Sequence, residues 1–202
     1  MERLPNFAQP DPAGRYTYAD CLAWEIEQYD LIDGRLLPPM PGRSTAHQRC
    51  LGGLMGQVYA FLKQQPRPRP QVYHLPLDVR LPPWPGAAPD DIVDVVQPDL
   101  LVVRDPAGVD ERGALGAPDW LVEVVSAGFV DRDTRLKFAL YQRHGVREYW
   151  LVFPHLHTVT AYELDAAGRY QVAAEYAAPG PMPVATLPGL AMEWAEVFAD
   201  AP

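Results

Sequence analysis

The stretch Trp120-Leu-Val-Glu-Val-Val-Ser126 decides the fold of this chain. Six of its seven residues suit a strand that is buried on both faces. The seventh, Glu123, is a carboxylate that stands among valines. Because a buried charge without a partner is costly, Glu123 predicts a partner from elsewhere in the fold.

The flanking segments extend this strand into a sheet. Upstream, Val95–Val103 is a second apolar run, which carries Asp99 where the first carries a glutamate. Downstream, residues 131–145 predict a helix that stops at a glycine, and Glu148–Phe153 predicts the next strand. The order strand, strand, helix, strand predicts that folding brings the two acids together with Lys137 of the helix.

Length and composition indicate one folded unit. The chain has 202 residues, of which 48% are apolar and 21% are charged, as is typical of a globular domain spanning residues 1–202. The N-terminus lacks a basic segment followed by an apolar run, and no apolar stretch has the length of a membrane helix. We therefore expect a cytoplasmic protein without membrane association. Cys21 and Cys50 are expected to be reduced and buried.

The charge balance restricts how the chain could bind nucleic acid. A net charge of −9 and a pI near 4.9 argue against a broad basic surface. Binding would have to rely on a local basic rim, or on metal ions that neutralise the acids. Lysine occurs only at Lys63 and Lys137, whereas the other cationic residues are arginines. A lysine retained between Leu136 and Phe138 in such a chain favours a need for a compact ammonium group.

The remaining segments predict helices and hairpins around this centre. Thr17 and Asp20 have the form of a capping box, and Asp33-Gly34 predicts the turn of a hairpin. The predicted ranges are a helix to about 28, a hairpin at 29–40, a helix from Ser44 or Thr45 to about 64, strands at 71–81, 158–164 and 170–176, a short strand at 183–187, and a helical turn at 192–198. The segment Pro66-Arg-Pro-Arg-Pro70 separates the longer helix from the strand that carries Asp78.

Two acids and one lysine in such an arrangement can carry phosphodiester chemistry. Mg²⁺ prefers oxygen ligands and keeps several waters, so Asp99 and Glu123 would hold it together with a substrate phosphate. A bound cation lowers the pKa of a water and stabilises charge on the leaving oxygen. The ammonium group of Lys137 would orient the attacking water or neutralise the transition state. The sequence has no recognisable nucleophile elbow and no glycine-rich phosphate loop after a strand.

Each of these residues also has a purely structural interpretation. Asp99 would begin a strand beside Pro98 as part of a turn, and Glu123 would be a buried structural acid. Lys137 follows Asp133 by four residues, the spacing of an ordinary helical ion pair worth about 0.2 to 0.5 kcal/mol. The sequence pattern leaves both interpretations open for each position.

Two further residues have similar double interpretations. His47, near the start of a helix, would contact phosphate or serve as a surface or capping residue. Tyr141 is mainly a core residue, but its hydroxyl lies one helical turn beyond Lys137 and would then face the site. Both are therefore accessory candidates beside the two acids and the lysine.

The motifs taken in order resemble a known superfamily. They are Gln97-Pro-Asp99, Ala117-Pro-Asp-Trp-Leu-Val-Glu-Val-Val-Ser126, Asp133 with Lys137 and Tyr141, Gly145-Val-Arg-Glu-Tyr-Trp-Leu-Val152, and, nearer the N-terminus, Tyr29-Asp-Leu-Ile-Asp-Gly-Arg-Leu36, His47-Gln48 and Pro76-Leu-Asp-Val-Arg-Leu81. This set resembles the PD-(D/E)XK nuclease superfamily, and more narrowly its bacterial Uma-type branch of restriction-endonuclease-like proteins. The resemblance covers the chain from about Thr17 to Phe198. Its specificity lies in the ordered set, not in any single motif.

The resemblance implies an α/β fold of α+β-like character, with a central mixed β-sheet flanked by helices as in restriction endonucleases. It also implies a metal site built from Asp99 and Glu123. The superfamily's usual lysine lies two residues after the glutamate, where this chain has Val125. In the Uma-type branch a lysine on the following helix takes that place, which is Lys137 here. Asp30 and Asp78 are the two candidates for a further acid of the metal shell.

Two functions are consistent with these features. The first is a DNA endonuclease of the PD-(D/E)XK type that depends on Mg²⁺, for which Mn²⁺ can substitute, and that acts as a homodimer because two sites conveniently cut both strands of a duplex. The alternative is a catalytically inactive interaction module on the same fold, such as a partner of another protein. The acidic composition and the absence of a lysine at Val125 favour this alternative.

Overall fold

The computed structural model describes residues 11, 13–24, 28–37, 44–126, 128 and 130–199. The strands are β1 Asp30–Ile32, β2 Arg35–Leu37, β3 Gln71–His74, β4 Val79–Arg80, β5 Val95–Val96, β6 Leu100–Val103, β7 Val109–Asp110, β8 Gly113–Leu115, β9 Trp120–Val124, β10 Glu148–Phe153, β11 Thr158–Leu164, β12 Tyr170–Tyr176, β13 Pro181–Pro183 and β14 Ala191–Glu193. The helices are α1 Tyr18–Ala23, α2 Thr45–Lys63, α3 Phe138–His144 and α4 Trp194–Val197. A π-helical turn, Arg132–Lys137, leads directly into α3.

The strands form two six-stranded sheets and a short hairpin of β13 with β14 within the described ranges. Sheet I has the order β2-β1-β5-β4-β8-β7, and sheet II has the order β12-β11-β10-β9-β6-β3. In sheet II, β9 and β10 run parallel while the other neighbours are antiparallel. The predicted α/β fold with a mixed sheet and flanking helices is therefore confirmed. The second large sheet was not predicted from the sequence.

Two segments predicted as continuous strands are broken where the chain passes between the sheets. The run Val95–Val103 is divided into β5 in sheet I and β6 in sheet II, and the run at 71–81 is divided into β3 in sheet II and β4 in sheet I. Each break contains a proline, Pro98 or Pro76, which cannot donate a hydrogen bond to a strand ladder. The prediction that Asp99 lies inside a strand is therefore wrong, because Asp99 immediately precedes β6.

The two faces of sheet II bury different cores. Side chains alternate along a strand, so Trp120 and Val122 of β9 face α2, where they pack with Leu54 and Val58. The residues between them on β9 face the other way, toward α3 and sheet I. Burial of each such large apolar side chain stabilises the fold by about 1.5 to 3 kcal/mol. Glu123 lies on the α3 face, between the two sheets and in the middle of the apolar packing.

The helix α3 covers that second face. Leu140 and Tyr141 of α3 pack in one cluster with Leu121 and Leu151 of sheet II and with residues of sheet I. The helix ends at Gly145, whose φ of 81° is the left-handed conformation that glycine adopts without strain. The predicted glycine stop is therefore confirmed, and the helix holds the residues just before it against the sheet.

Most of the local signals outside this centre are also confirmed. Thr17 and Asp20 form the predicted capping box, although α1 ends at Ala23 and residues 25–27 lie outside the described part. Asp33 and Gly34 have φ values of 50° and 72° and form the predicted hairpin turn. The other outcomes are that Ser44 caps α2, that the predicted hairpin of β11 with β12 forms, and that the strand predicted at 183–187 is replaced by β13 and β14. Among the helices described, none has the length and apolar character to span a membrane.

Candidate active site

Glu123 occupies the middle of β9 and is 1% exposed. Its Oε1 atom accepts hydrogen bonds from Lys137 Nζ at 2.9 Å and from the Tyr141 hydroxyl at 2.7 Å. Its Oε2 atom is buried and has no hydrogen-bond partner among the described residues. Burial raises the pKa of Glu123 to about 8; Lys137 opposes this rise, and the negative charges of Asp133 and Asp99 add to it.

Lys137 ends the π-helical turn, and its side chain is as deeply buried as that of Glu123. Three carboxylates surround Nζ, with oxygens of Glu123 at 2.9 Å, Asp30 at 3.6 Å and Asp133 at 3.9 Å. Burial alone would lower the pKa of this amine, but the three negative charges outweigh it and hold the pKa above its ordinary value. Lys137 is therefore a protonated ammonium group.

Asp133 lies four residues before Lys137 and is completely buried. Neither of its carboxylate oxygens has a hydrogen-bond partner in the described part of the chain. Burial raises the pKa of Asp133 to about 6, with Lys137 opposing the rise. Sequence reasoning treated this residue only as an ordinary ion-pair partner of Lys137. The spacing was the available signal, but burial of both groups could not be inferred from it.

Asp99 reaches the same region from the segment between the sheets. Its Oδ2 atom accepts hydrogen bonds from the backbone N–H of Val124 at 2.8 Å and from His47 Nε2 at 3.2 Å. Burial would raise the pKa of Asp99, but the bond and charge of His47, followed by the charge of Lys137, lower it. The Asp99 carboxylate is therefore hydrogen-bonded to the backbone N–H of the residue that directly follows Glu123.

His47 lies in the first turn of α2 and is 1% exposed, so the prediction of a surface residue is wrong. Ser44 provides the cap, with its hydroxyl accepting from the His47 backbone N–H at 3.1 Å. Because Asp99 is a carboxylate, Nε2 of the ring is assigned as the donor between them. The other ring nitrogen, Nδ1, is buried without a hydrogen-bond partner in the described ranges.

Asp30 and Asp78 have different surroundings. Asp30 begins β1, and its Oδ2 atom lies 3.5 Å from Arg132 and 3.6 Å from Lys137, so it belongs to the cluster around the lysine. Its Oδ1 atom accepts from the Gln97 backbone N–H at 3.2 Å. Asp78 instead accepts from the side-chain amide of Gln97 at 2.9 Å. Among the described contacts, Asp78 therefore has a hydrogen bond to Gln97 and no ion pair with Lys137.

We call the buried group that the structure assembles the acidic cluster. It consists of Asp30, Asp99, Glu123, Asp133 and Lys137, with His47 and Tyr141 as hydrogen-bonding neighbours. The cluster holds four carboxylates and one ammonium group, three of these carboxylates lie within 4 Å of Lys137 Nζ, and Arg132 lies 3.5 Å from Asp30. Unpartnered carboxylate oxygens at this density are the feature that a hard divalent cation would satisfy.

The donor set fits such a cation in type. No three His, Cys, Asp or Glu side chains within the described residues are arranged as a complete metal site. Mg²⁺ does not need one, because it is commonly held by one or two carboxylates while it keeps several waters. Asp99 and Glu123 provide those two carboxylates, and the unpartnered Oε2 atom of Glu123 has a free coordination position.

The lysine of the cluster approaches from the helix and not from the strand. Val125, two residues after Glu123, is buried in the same apolar cluster as α3. Lys137 crosses from the π-helical turn to within 2.9 Å of the glutamate oxygen. A π-helical turn inserts one residue per turn relative to an α-helix and often occurs at functional sites. This local irregularity is what points Lys137 into the sheet.

Comparison with known proteins gives one family and one fold. Residues 18–195 match the model of the Uma2 family, whose description is "Putative restriction endonuclease". A crystal structure of "a putative nuclease belonging to DUF820" from Anabaena variabilis superposes with a TM-score of 0.67 and 18% identity. The alignment covers 90% of this chain and 97% of that chain, so the two share a fold over nearly their whole length. No functionally curated protein matches the sequence.

Proposed function

The chain belongs to the Uma2 family, because the family model spans most of its length, and from this premise we propose that it is a metal-dependent DNA endonuclease. The family description supports a nuclease-like hydrolase. We propose in addition that it depends on Mg²⁺, with Mn²⁺ as a substitute, and that its substrate is DNA. Both proposals rest on the chemistry of the acidic cluster.

One observation carries the proposal. Glu123 is buried in the middle of an apolar strand, and yet its Oε2 atom has no hydrogen-bond partner in the described ranges. Burying an unsatisfied carboxylate oxygen costs about 1 to 3 kcal/mol or more, which a purely structural residue would have no reason to retain. A cation at Oε2 would remove this cost. Unsatisfied buried groups of this kind are concentrated at functional sites.

Asp99 and Glu123 would hold the cation, with Asp133 as the nearest additional carboxylate of the acidic cluster. When bound, the cation polarises the phosphodiester and lowers the pKa of a water. Asp78, the other ligand predicted from the sequence, accepts a hydrogen bond from the Gln97 side chain and has no ion pair with Lys137 among the described contacts. We therefore leave it out of the proposed ligand set and keep Asp30 as a partner of Lys137.

The chain's own groups prepare these ligands. Lys137 and Tyr141 both bind Oε1 of Glu123, which fixes the carboxylate and leaves its other oxygen available. His47 and the backbone of Val124 both donate to Oδ2 of Asp99 and fix that carboxylate. The ammonium group of Lys137 would also neutralise negative charge that develops on the phosphate. Because these groups are held in place before substrate arrives, little reorganisation is needed during the reaction.

We further propose that residues 1–202 act as one nuclease domain and that two copies assemble. Support for one domain comes from the core, since residues of both sheets pack in one apolar cluster around α3. Support for a homodimer comes from the reaction, because two sites are the simplest way to cut both strands of a duplex. Light scattering on the purified protein tests the dimer directly.

A second candidate function is an inactive interaction module on the same fold. One observation favours it: Asp99, Glu123 and Lys137 are each only 1% exposed, so a phosphodiester must displace part of the structure to reach them. An enzyme would have to open this region during its cycle. A structural cluster would remain closed.

Plasmid nicking separates the two functions. Wild-type protein is incubated with supercoiled DNA in Mg²⁺, Mn²⁺ or EDTA, beside Lys137→Ala and Arg135→Ala. Arg135 is an exposed cation on the same π-helical turn and serves as the matched control. The enzyme requires cleavage in Mg²⁺ or Mn²⁺, no cleavage in EDTA, and a loss of roughly a hundredfold or more in Lys137→Ala only.

Two results would reject the enzyme. Cleavage that persists in Lys137→Ala at the wild-type rate would locate the activity elsewhere or in a contaminant. Absence of cleavage on single- and double-stranded DNA, with a folded protein by circular dichroism, would favour the interaction module. Lys137→Met, which keeps the length of the side chain, replaces Lys137→Ala where the smaller residue prevents folding.

A further inference from the structure

A locally basic surface lies at the end of the β6 and β9 strands that is remote from the acidic cluster. We define it by its cations, which are Lys63, Arg67, Arg69, Arg104 and Arg147. Lys63 ends α2, and Arg104 directly follows β6. Asp99, in contrast, directly precedes β6, so the strand separates Arg104 from the acidic cluster. Five residues at about 3.3 Å each place the two ends about 16 Å apart.

Three hollows that share lining residues connect four of these cations, and Arg67 lies between Pro66 and Pro68, which line one of the hollows. Arg104 and Pro68 line two of them, and Pro70 lines the third together with Arg69 and Lys63. The largest has a volume of about 550 Å³ and also contains Arg147. The proline-rich segment therefore forms part of a continuous groove that lies between the end of α2 and the edges of sheet II.

The segment is held in place by its own arginine. Arg69 donates a hydrogen bond from Nη1 to the backbone carbonyl of Lys63 at 3.1 Å, at the C-terminal end of α2. This contact satisfies one of the carbonyls that a helix end leaves unpaired. It also holds the Arg69 guanidinium next to residue Lys63, so that two cationic residues lie close together at the end of the helix.

The charge of the groove is opposite to that of the chain. Asp105 and Asp119 are the acids in its lining, and Asp119 lies 3.5 Å from Arg147. Four cations and two acids line the groove, which gives its lining a net charge of about +2, while the whole chain carries −9. Such a reversal of sign provides a local basic rim, which an acidic protein needs if it is to bind nucleic acid.

We propose that this basic surface binds the phosphate backbone of DNA and holds it for the acidic cluster. This proposal rests on the proposed nuclease function and names where its substrate is anchored. The acidic cluster itself repels a polyanion, so affinity must come from cations elsewhere. A distance of about 16 Å corresponds to roughly five nucleotides at 3.4 Å each. Tyr59, which is 57% exposed beside Lys63, offers a ring on which a base can stack.

Fluorescence anisotropy with labelled single-stranded and duplex oligonucleotides in EDTA tests the surface without cleavage. The variant is Arg67→Glu with Arg104→Glu, because neither guanidinium takes part in a hydrogen bond or ion pair within the described contacts. The matched control is Arg112→Glu with Arg169→Glu, which makes the same charge change at exposed turns elsewhere. The basic surface predicts at least a tenfold loss of affinity and a shallower salt dependence, by about one or two units of slope, in the first pair only.

Other outcomes overturn the proposal. Equal losses in both double variants would mean that only net charge matters. If polyglutamate competes as effectively as DNA, the surface would be assigned to an acidic protein partner. If neither oligonucleotide binds at low salt, the proposal that this surface binds DNA would be rejected. Because binding is measured in EDTA, failure of nicking leaves this result intact. Normal binding by Arg67→Glu with Arg104→Glu would overturn the surface while leaving the nuclease standing.

Discussion

Two buried glutamates on neighbouring parallel strands have opposite surroundings. Glu123 in β9 and Glu148 in β10 are each 1% exposed. Glu148 pairs with Trp120 in the sheet, whereas Glu123 pairs with Leu151, and their side chains lie on opposite faces of sheet II. The sheet is the same and the residue type is the same. The two glutamates differ in the hydrogen-bond donors that contact their carboxylates.

Both carboxylate oxygens of Glu148 accept hydrogen bonds, and all of the donors are neutral groups. Its Oε1 atom accepts from the Trp150 indole at 2.8 Å and from the Ala185 backbone at 3.2 Å. Its Oε2 atom accepts from the backbone and the hydroxyl of Thr186, both at 2.8 Å. Glu123 has two donors on one oxygen and none on the other within the described residues. A buried acid thus indicates a functional site when its hydrogen bonding is incomplete, and not by burial alone.

Replacing each glutamate with its isosteric amide tests this difference most strongly. Glu123→Gln removes the charge from a proposed cation ligand, and we expect plasmid nicking to fall by roughly a hundredfold or more. Glu148→Gln leaves the acidic cluster unchanged, so nicking by the folded fraction should stay within about threefold of wild type. Initial nicking rates in Mn²⁺ measure both. Equal losses in the two variants would remove the functional distinction between the faces.

The second test uses the cation itself. A ligand that binds only the folded state stabilises it by about 2.7 kcal/mol at a concentration one hundred times its Kd. For a chain of this length we expect Mn²⁺ to raise Tm by several degrees in wild type and in Glu148→Gln. Glu123→Gln should show little of this rise. Thermal unfolding by circular dichroism measures it, with Ca²⁺ and Na⁺ as comparison ions.

A rise of equal size in Glu123→Gln would place cation binding outside the acidic cluster. The same conclusion would follow if Mn²⁺ raised the Tm of Asp99→Asn as much as that of wild type. Because this measurement does not need DNA, it separates loss of cation binding from loss of catalysis.

The third test concerns stability without a cation, where the two glutamates should differ in the reverse direction. Glu148→Gln sets an amide N–H₂ against donors that need an acceptor, so it should lower the free energy of unfolding by about 1 to 3 kcal/mol. Glu123→Gln keeps an oxygen that accepts from Lys137 and Tyr141, and Asp30 and Asp133 still lie near the ammonium group, so it should lower the free energy of unfolding by less than Glu148→Gln does. Urea denaturation in EDTA measures both. A larger loss in Glu123→Gln would make that residue the structural one.

This comparison also shows what the sequence could predict. Glu123 was predicted as a buried acid because its neighbours within the strand are all apolar. Glu148 follows an exposed arginine at the start of its strand, and its partners Ala185 and Thr186 lie 37 and 38 residues away. No local pattern reveals such partners. Sequence therefore identified the acid whose hydrogen bonding is incomplete and overlooked the acid whose hydrogen bonding is complete.

The errors around the acidic cluster have a related physical origin. Helix α2, strands β9 and β10, and the Asp33-Gly34 turn were predicted correctly because each is determined by local periodicity or turn chemistry. The strand assigned through Asp99 was wrong, because apolar character does not show which of two sheets receives each half of a run. The burial of His47 was missed for the same reason, since it depends on how α2 sits against sheet II.

The smallest expected effect on stability concerns a third carboxylate, that of Asp94. Asp94 accepts hydrogen bonds from the Asp33 backbone at 2.8 Å, from His144 Nε2 at 3.0 Å and from Arg143 at 2.9 Å. Burial would raise the pKa of Asp94, but the hydrogen bonds of His144 and of the Asp33 backbone, and then the charge of Arg143, lower it. The pKa of Glu148, in contrast, is raised, because burial outweighs its neutral donors.

The two shifts predict opposite pH dependences of stability. Folded Asp94 binds a proton less readily than the unfolded chain, so its contribution is present above the unfolded pKa near 4 and is lost as the pH falls through the folded value. Asp94→Asn should cost about 1 kcal/mol at neutral pH, since Arg143 is half-exposed, and this cost should fade in acid. Glu148 has the reverse sign, so the cost of Glu148→Gln should grow as the pH falls through the raised folded pKa to the unfolded value near 4.5. Urea denaturation from neutral pH to about pH 3 measures both costs, and a parallel pH dependence of the two would contradict the assignment of satisfied charge to Asp94 and neutral donors to Glu148.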